Sequence, residues 1–233
     1  MPLPKIDQPL FEAIIPSNSQ KITFRPFLVK EEKILLIAQS SNDDASVLKA
    51  IKQVLGNCIQ DNIDLDKLAT FDIEYLFLKL RAKSVNNIAK LSYRDNEDDE
   101  LYSFEIDLDA VEVKIPEAVN KKIKINDQVG MTMRWPSASI TDKMGTYETE
   151  VELLTFFVRN CIDTIYDSEN VYIADEYSDE DLNEFLDSLD IKTFDKIKEF
   201  FEAMPKLEHI LEYKNKNGND RKIVLNSVRD FFM

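Results

Sequence analysis

A chain of 233 residues, 44% apolar and 31% charged, can bury one large core or two smaller ones, and its 14 Phe and 8 Tyr exclude a disordered protein. The formal net charge of −15 argues against binding to nucleic acid and favours solubility or a basic protein partner. No run approaches the roughly 20 apolar residues of a membrane span, and residues 1–7 lack the apolar core of a secretory signal, so we expect a cytosolic protein without a membrane span. The nearest approach to a basic patch is Lys121, Lys122 and Lys124, which a solvated strand edge explains most simply.

The N-terminal third of the sequence predicts a β-hairpin followed by helices. Two short β-rich runs within residues 10–24 flank a Pro-Ser-Asn-Ser turn, a pattern typical of a hairpin. The first helix is expected over residues 27–38. An apolar stripe with the helical period then predicts a second helix from a cap at Asp43 or Asp44 to about Ile59.

Residues 71–85 predict a helix that is apolar on two opposite sides. The two faces are Ile73, Leu76, Phe77 and Leu80 on one side, and Phe71, Tyr75, Leu78, Ala82 and Val85 on the other. A surface helix has one apolar face, so a helix with two must lie between two layers of the protein. We therefore expect this helix to be the buried centre of the fold.

A β-rich section follows the central helix, because the apolar residues change to a period of two over residues 88–136. Two strands, 91–94 and 101–106, are expected to flank an acidic turn at 95–100. After this section, the pattern of apolar residues predicts one long amphipathic helix over residues 148–166.

The C-terminal part of the sequence predicts two shorter helices and a second hairpin. Ser178 and Asp181 have the spacing of a capping box at the start of a helix, and Pro205 ends the helix after it. An Asn-Gly pair predicts a tight turn within a hairpin spanning residues 207–225. Residues 227–232 are expected to form a short helical plug with two aromatic side chains to bury.

These elements together predict an α+β protein with a helical body around the central helix. The expected divisions are an N-terminal hairpin and helical body at 1–86, a β-rich subdomain at 87–136, C-terminal helices at 137–204, and a C-terminal hairpin subdomain at 205–233. The last hairpin is expected to resemble a zinc ribbon without metal ligands, because its turn carries no thiol where a ribbon has a C-x₂-C pair.

No pattern of catalytic, cofactor-binding or metal-binding residues stands out. The single histidine, His209, has no nucleophile motif beside it and is interpreted as a strand or turn residue. Cys58 and Cys161 lie in apolar stripes and are expected to be buried thiols. Acidic runs starting at Asp95 and Asp175 lack the Gly and Glu that an EF-hand loop requires. We predict no catalytic residue, no cofactor and no metal.

Three stretches together resemble a known family: residues 1–6, 25–36 and 71–85. This combination is similar to the baseplate hub protein family of T-even-type contractile-tailed bacteriophages. The segment 105–114 matches the β section of that family. The resemblance covers about the first 135 residues, whereas the C-terminal part is similar mainly in its last hairpin and in its Asp-Phe-Phe ending.

The resemblance implies a non-enzymatic phage protein, made in the host bacterial cytoplasm, that acts in assembly of the baseplate central hub by binding hub subunits as an assembly factor or chaperone. Alternatives are a permanent structural subunit of the hub in the virion tail baseplate and, with less support, a tail-associated cell-wall hydrolase. Other hub proteins are the expected partners, and self-association into a homo-oligomer is an alternative. The expected contact residues are Arg25, Phe27, Leu28, Phe231 and Phe232, for which ordinary core packing is the alternative.

Overall fold

The computed structural model describes residues 6–40, 44–116, 119–141 and 149–231. Contacts within the chain divide it into two units. One unit is formed by Met1–Lys114 together with Lys206–Met233, and the other by Ile115–Pro205.

The first unit begins with an antiparallel hairpin of β1 (Phe11–Ile14) and β2 (Lys21–Phe24). Two helices follow, α1 (Val29–Ser40) and α2 (Asp44–Cys58), and they pack against each other. Both helices and the hairpin were predicted from the sequence pattern. Of the two predicted caps of α2, Asp43 lies outside the described residues.

The central helix, α3 (Thr70–Ser84), is buried on both of its predicted faces, as the sequence pattern indicated. Its buried apolar residues are Phe71, Ile73, Leu76, Phe77, Leu78, Leu80 and Ala82. The helix begins where the buried Asp72 carboxylate accepts a hydrogen bond from the N–H of Ala69 at 3.1 Å and another from the N–H of Ser17 at 2.9 Å. This carboxylate therefore fixes the start of the helix and the turn of the first hairpin together.

A second hairpin follows α3 and is made of β3 (Ile88–Arg94) and β4 (Leu101–Asp107), with the acidic turn between them. The short strand β5 (Glu112–Lys114) then ends this part of the first unit. In that unit, α3 contacts α2, the first hairpin, and β5.

The second unit is built on a four-stranded antiparallel sheet with the order β6-β7-β8-β9. In chain order its elements are β6 (Lys122–Lys124), β7 (Gly130–Met133), α4 (Ala138–Thr141), α5 (Glu150–Asn160), β8 (Ile162–Tyr166), β9 (Val171–Ile173), α6 (Asp179–Asp187) and α7 (Ile191–Glu202). The core between sheet and helices includes Ile123, Met131, Met133, Phe156, Val158, Ile162, Leu182, Ile197 and Phe200. The predicted capping box at the start of α6 is confirmed, with Ser178 and Asp181 bonded to each other's backbone N–H.

The predicted helix over 148–166 is wrong in its second half. Helix α5 ends at Asn160, whose side-chain amide donates to the carbonyl of Phe156 at 2.8 Å. Residues 162–166 form strand β8 instead, between β7 and β9. The sequence Ile-Asp-Thr-Ile-Tyr is rich in β-branched and aromatic residues, and tertiary pairing on both sides favours the extended form. The expected start at residue 148 lies outside the described residues.

The chain returns to the first unit with β10 (Lys206–Lys214) and β11 (Asp220–Leu225), the predicted C-terminal hairpin. Strand β10 also pairs with β5, so that Lys206 lies opposite Lys114 in a sheet ordered β11-β10-β5. Gly218 in the turn has φ of +85°, a conformation that glycine adopts without strain. The short helical element predicted at 227–232 is a 3₁₀ helix at Val228–Phe231, in which Phe231 is buried.

The mixture of helices and small antiparallel sheets confirms the α+β class. The expected division into four parts stays a prediction. The contacts place a boundary next to the predicted one at residue 205 and another within the predicted 87–136 subdomain, at Lys114.

Candidate interaction surface

The segment before α1 is held by a buried ion pair between Arg25 and Glu31. The Arg25 guanidinium donates to the Glu31 carboxylate at 3.0 Å and to the carbonyl of Asn57 in α2 at 2.9 Å. Glu31 is fully buried and also accepts a hydrogen bond from the N–H of Leu28 at 2.9 Å. Burial acts against ionisation of Glu31, but the bonds from Arg25 and Leu28 outweigh it and hold its pKa below the ordinary value. This network fixes the first turn of α1 on the body of the unit.

The expected contact residues occupy different environments. Phe27 is buried, and its backbone N–H donates to the Ser84 hydroxyl at 2.9 Å. Phe231 is buried with its ring centroid 6.4 Å from that of His209, which lies in β10 as predicted for a strand residue. Leu28 is half-buried. Phe232 lies outside the described residues.

Helix α1 carries an exposed apolar stripe, defined by Val29, Leu36 and Ile37. The exposed fractions of these residues are 68%, 57% and 72%. They lie on the side of the helix away from Ala38, which is buried. Lys33 is also exposed, so the stripe has a charged neighbour. An exposed row of large aliphatic side chains beside charged residues is a feature of surfaces that bind other proteins.

Sequence reasoning missed this stripe, although a signal was present. Five of the nine residues from Val29 to Ile37 are large and aliphatic, and they surround the helix rather than marking one face. Such a helix must either be buried all round or present apolar side chains to solvent or to a partner.

A polar network joins the acidic turn after β3 to the turn between β10 and β11. Asp95 is fully buried and accepts a hydrogen bond from the Tyr213 hydroxyl at 2.6 Å. Its carboxylate also forms an ion pair with the Arg221 side chain at 3.2 Å. The Asn215 side-chain amide donates to Glu97 at 2.9 Å. The hydrogen bond from Tyr213 is the main cause of a lowered pKa at Asp95, and burial together with Asp95 raises the pKa of Tyr213 to about 12. We call these five residues the turn network.

The turn network accounts for the acidic run that starts at Asp95. The carboxylates there accept bonds from Tyr, Asn and Arg side chains, and no group of three or more potential metal-ligating side chains stands together anywhere in the described ranges. The zinc-ribbon likeness of the C-terminal hairpin stays a prediction. Both cysteines are buried, and burial raises the pKa of Cys58 to about 11 and that of Cys161 to about 12, as expected for inert thiols.

The three lysines that come nearest to a basic patch lie on and next to strand β6 in the second unit. Lys122 and Lys124 are exposed there, and the Lys124 ammonium pairs with Asp127 at 2.6 Å. Lys121 lies over the ring of Trp135, 4.9 Å from its centroid. These contacts agree with the interpretation of the three lysines as a solvated strand edge.

Comparison with known proteins identifies the family. The model of the family described as T4 bacteriophage base plate protein matches residues 8–233. The chain therefore belongs to this family of phage baseplate proteins, and the resemblance found in the sequence is confirmed. No curated protein and no solved structure matches the chain significantly. None of the helices in the described parts of the chain is long and apolar enough to cross a membrane.

Proposed function

We propose that this chain is a non-enzymatic assembly factor of the baseplate central hub and that it binds a hub subunit through the α1 stripe. Membership of a baseplate family supports a role among baseplate proteins. The exposed stripe of Val29, Leu36 and Ile37 is the observation that carries the proposal. Removing large aliphatic side chains from water lowers the free energy, so a partner that covers them is favoured.

The stripe is presented on a rigid support, which lowers the entropic cost of binding. The buried Arg25–Glu31 pair anchors the start of α1 to α2, and Phe27 fixes the preceding residues to the end of α3. In this proposal Leu28 extends the stripe, whereas Arg25 and Phe27 hold it in place. Phe231, which is buried, would hold the C-terminal turn in place in a similar way.

The net charge of −15 suits a hub subunit that is basic around an apolar site. We propose synthesis and action in the host bacterial cytoplasm. The alternative is a permanent hub subunit. Mass spectrometry of purified virions distinguishes it from an assembly factor, because only a structural subunit persists in the particle.

The variant Ile37→Glu tests the proposal, since it places a charge at the most exposed residue of the stripe without changing a buried residue. Sedimentation with purified hub subunits should show binding by the unmodified chain and about tenfold weaker binding by Ile37→Glu, the loss expected when one apolar contact becomes an unpaired charge. Gln39→Glu is the matched control, because it adds the same charge at another exposed position of α1. Far-UV circular dichroism shows whether each variant is folded.

The proposal fails if the unmodified chain binds no hub component. A second contradictory outcome is binding by Ile37→Glu that is as tight as binding by the unmodified chain, which would exclude the α1 stripe as the contact.

A further inference from the structure

The two edges of the four-stranded sheet in the second unit differ in how accessible their backbones are. At the β6 edge, the Lys196 ammonium donates to the carbonyl of Lys124 at 2.7 Å, and the Asn120 side chain accepts from the N–H of Lys122 at 3.0 Å. Lysine side chains and side-chain caps on backbone groups are devices that prevent another strand from pairing. At the β6 edge, the N–H of Lys122 and the carbonyl of Lys124 are therefore already occupied by side chains.

The β9 edge is open, as its hydrogen-bonding register shows. The N–H of Asp167 donates to the carbonyl of Asn170 at 3.0 Å. The next pair along the hairpin is Tyr166 with Val171, and the one after it is Ile165 with Tyr172. Because hydrogen-bonded pairs alternate along an antiparallel ladder, the backbone groups of Val171 and the N–H of Ile173 point away from β8. The carbonyl of Ile173 is used within the chain, because Ile173 caps the 3₁₀ helix Ala174–Glu176 that follows. In the described parts of the chain, the order of strands ends at β9.

Side chains at this edge are apolar, and acidic residues flank them. Val171 and Ile173 are exposed by 68% and 48% and lie on the same face of the sheet. Glu169 in the preceding turn and Glu176 at the end of the 3₁₀ helix Ala174–Glu176 are exposed. An edge with the outward N–H and C=O of Val171, the outward N–H of Ile173, apolar side chains and acidic ends is complementary to an extended segment that alternates apolar and basic residues.

We propose that β9 is a strand-addition site, which binds an extended segment of a partner protein carrying alternating apolar and basic residues. Backbone hydrogen bonds to the N–H and C=O of Val171 and to the N–H of Ile173 would supply the pairing, and the neighbouring glutamates would select the charge of the partner. This site is separate from the α1 stripe and does not depend on the hub assignment.

The test uses a fluorescent peptide of alternating valine and lysine, about ten residues long, with the full-length chain. Fluorescence anisotropy should show binding that weakens with added salt, and a valine–glutamate peptide of the same length should not bind. Amide hydrogen exchange gives the position. The N–H groups of Val171 and Ile173 should become protected when the peptide is added, whereas the N–H of Tyr172 is already protected by the pairing with β8.

The substitution Ile173→Pro separates backbone pairing from side-chain contact. Ile173 has φ of −79°, which proline adopts, and its N–H points away from β8, so proline removes only the outward donor and the side chain. Ile173→Ala is the matched control, because it removes the side chain and keeps the donor. We expect Ile173→Pro to bind the peptide about tenfold more weakly than Ile173→Ala, in line with one lost hydrogen bond.

Three outcomes would overturn the proposal. One is the absence of valine–lysine peptide binding, and another is equal binding by Ile173→Pro and Ile173→Ala. The third is self-association of the chain that Ile173→Pro abolishes, which would make a second copy the occupant. The variant Ile37→Glu should bind the valine–lysine peptide as tightly as the unmodified chain does. This result would show that the β9 site is independent of the α1 stripe.

Discussion

Two carboxylates on α3, two residues apart, are affected by burial in different ways. Both oxygens of Asp72 accept backbone hydrogen bonds, so the charge is satisfied where it is buried. Glu74 has a longer contact, 3.5 Å from the N–H of Val228, and the Asp230 carboxylate lies near it. Burial is the main cause that raises the pKa of Glu74 to about 7. The folded chain therefore disfavours the charge of Glu74 and tolerates that of Asp72.

The raised pKa of Glu74 predicts a pH-dependent gain in stability for Glu74→Gln. A carboxyl with a pKa raised from 4.5 to about 7 retains its proton in the folded state, so the free energy of unfolding falls as pH rises between these values and is level above them. At about pH 8, the free energy of unfolding of Glu74→Gln should be higher than that of the unmodified chain by at most about 3 kcal/mol. This difference should shrink towards zero near pH 4.5. Urea unfolding at both pH values measures it.

Glu212→Gln is the control for this prediction, since Glu212 is exposed on β10 and its effect should be small at both pH values. A stability difference for Glu74→Gln that is the same at the two pH values would contradict the raised pKa.

At the scale of elements, the turn network joins two hairpins that lie far apart in the sequence. Asp95 and Tyr213 are 118 positions apart, and the ring of Tyr213 also lies against Tyr102 and Phe104 of β4, at centroid distances of 4.7 and 5.3 Å. A local tyrosine–aspartate bond offers a comparison: Tyr172 donates to Asp167 at 2.8 Å within one hairpin. The bond from Tyr213 therefore fixes tertiary structure, whereas the one from Tyr172 closes a turn.

Removing the Tyr213 hydroxyl is expected to lower the urea midpoint of unfolding more than removing the Tyr172 hydroxyl. Tyr213→Phe leaves the buried Asp95 carboxylate with one fewer donor, and a buried charge that loses a partner is destabilising. In a double-mutant cycle, Asp95→Asn should lower the free energy of unfolding less in the Tyr213→Phe background than in the unmodified chain. Fully additive effects, or equal effects of Tyr213→Phe and Tyr172→Phe, would refute the coupling of the two hairpins.

At the scale of the whole molecule, the second unit is an insertion in the first. The chain leaves the first unit at Lys114 and re-enters it at Lys206, and these two residues are directly opposite each other in the β5–β10 pair. Adjacent ends of two antiparallel strands can be joined by a two-residue turn.

We expect the first unit to fold without the second. A chain in which an Asn-Gly turn joins Lys114 to Lys206 in place of residues 115–205 should retain cooperative unfolding in urea, because the pairing of β5 with β10 is preserved. Deletion of residues 110–200 is the control of equal length. It removes β5 and should abolish cooperative unfolding. If both deletions unfold without cooperativity, the insertion interpretation is wrong.

The sequence by itself determined the family, the α+β class and most of the elements. Sequence patterns predicted α3, the first hairpin (β1 and β2) and the last hairpin (β10 and β11). The Ser178–Asp181 spacing predicted the start of α6. Each of these signals depends on residues only a few positions apart. The change from α5 to β8 at Cys161 was not readable, since the pattern of 148–166 fits a helix and pairing with β7 and β9 decides otherwise.

Only the tertiary structure decided which apolar side chains remain in solvent and which charges are buried. Val29, Leu36 and Ile37 look like core residues in the sequence, and Asp95 looks like a solvated turn residue, yet the structure places each in the opposite environment. The physical reason is that burial depends on contacts with distant segments, about which local patterns carry no information. Tyr213, for example, donates a hydrogen bond to Asp95 from 118 positions away.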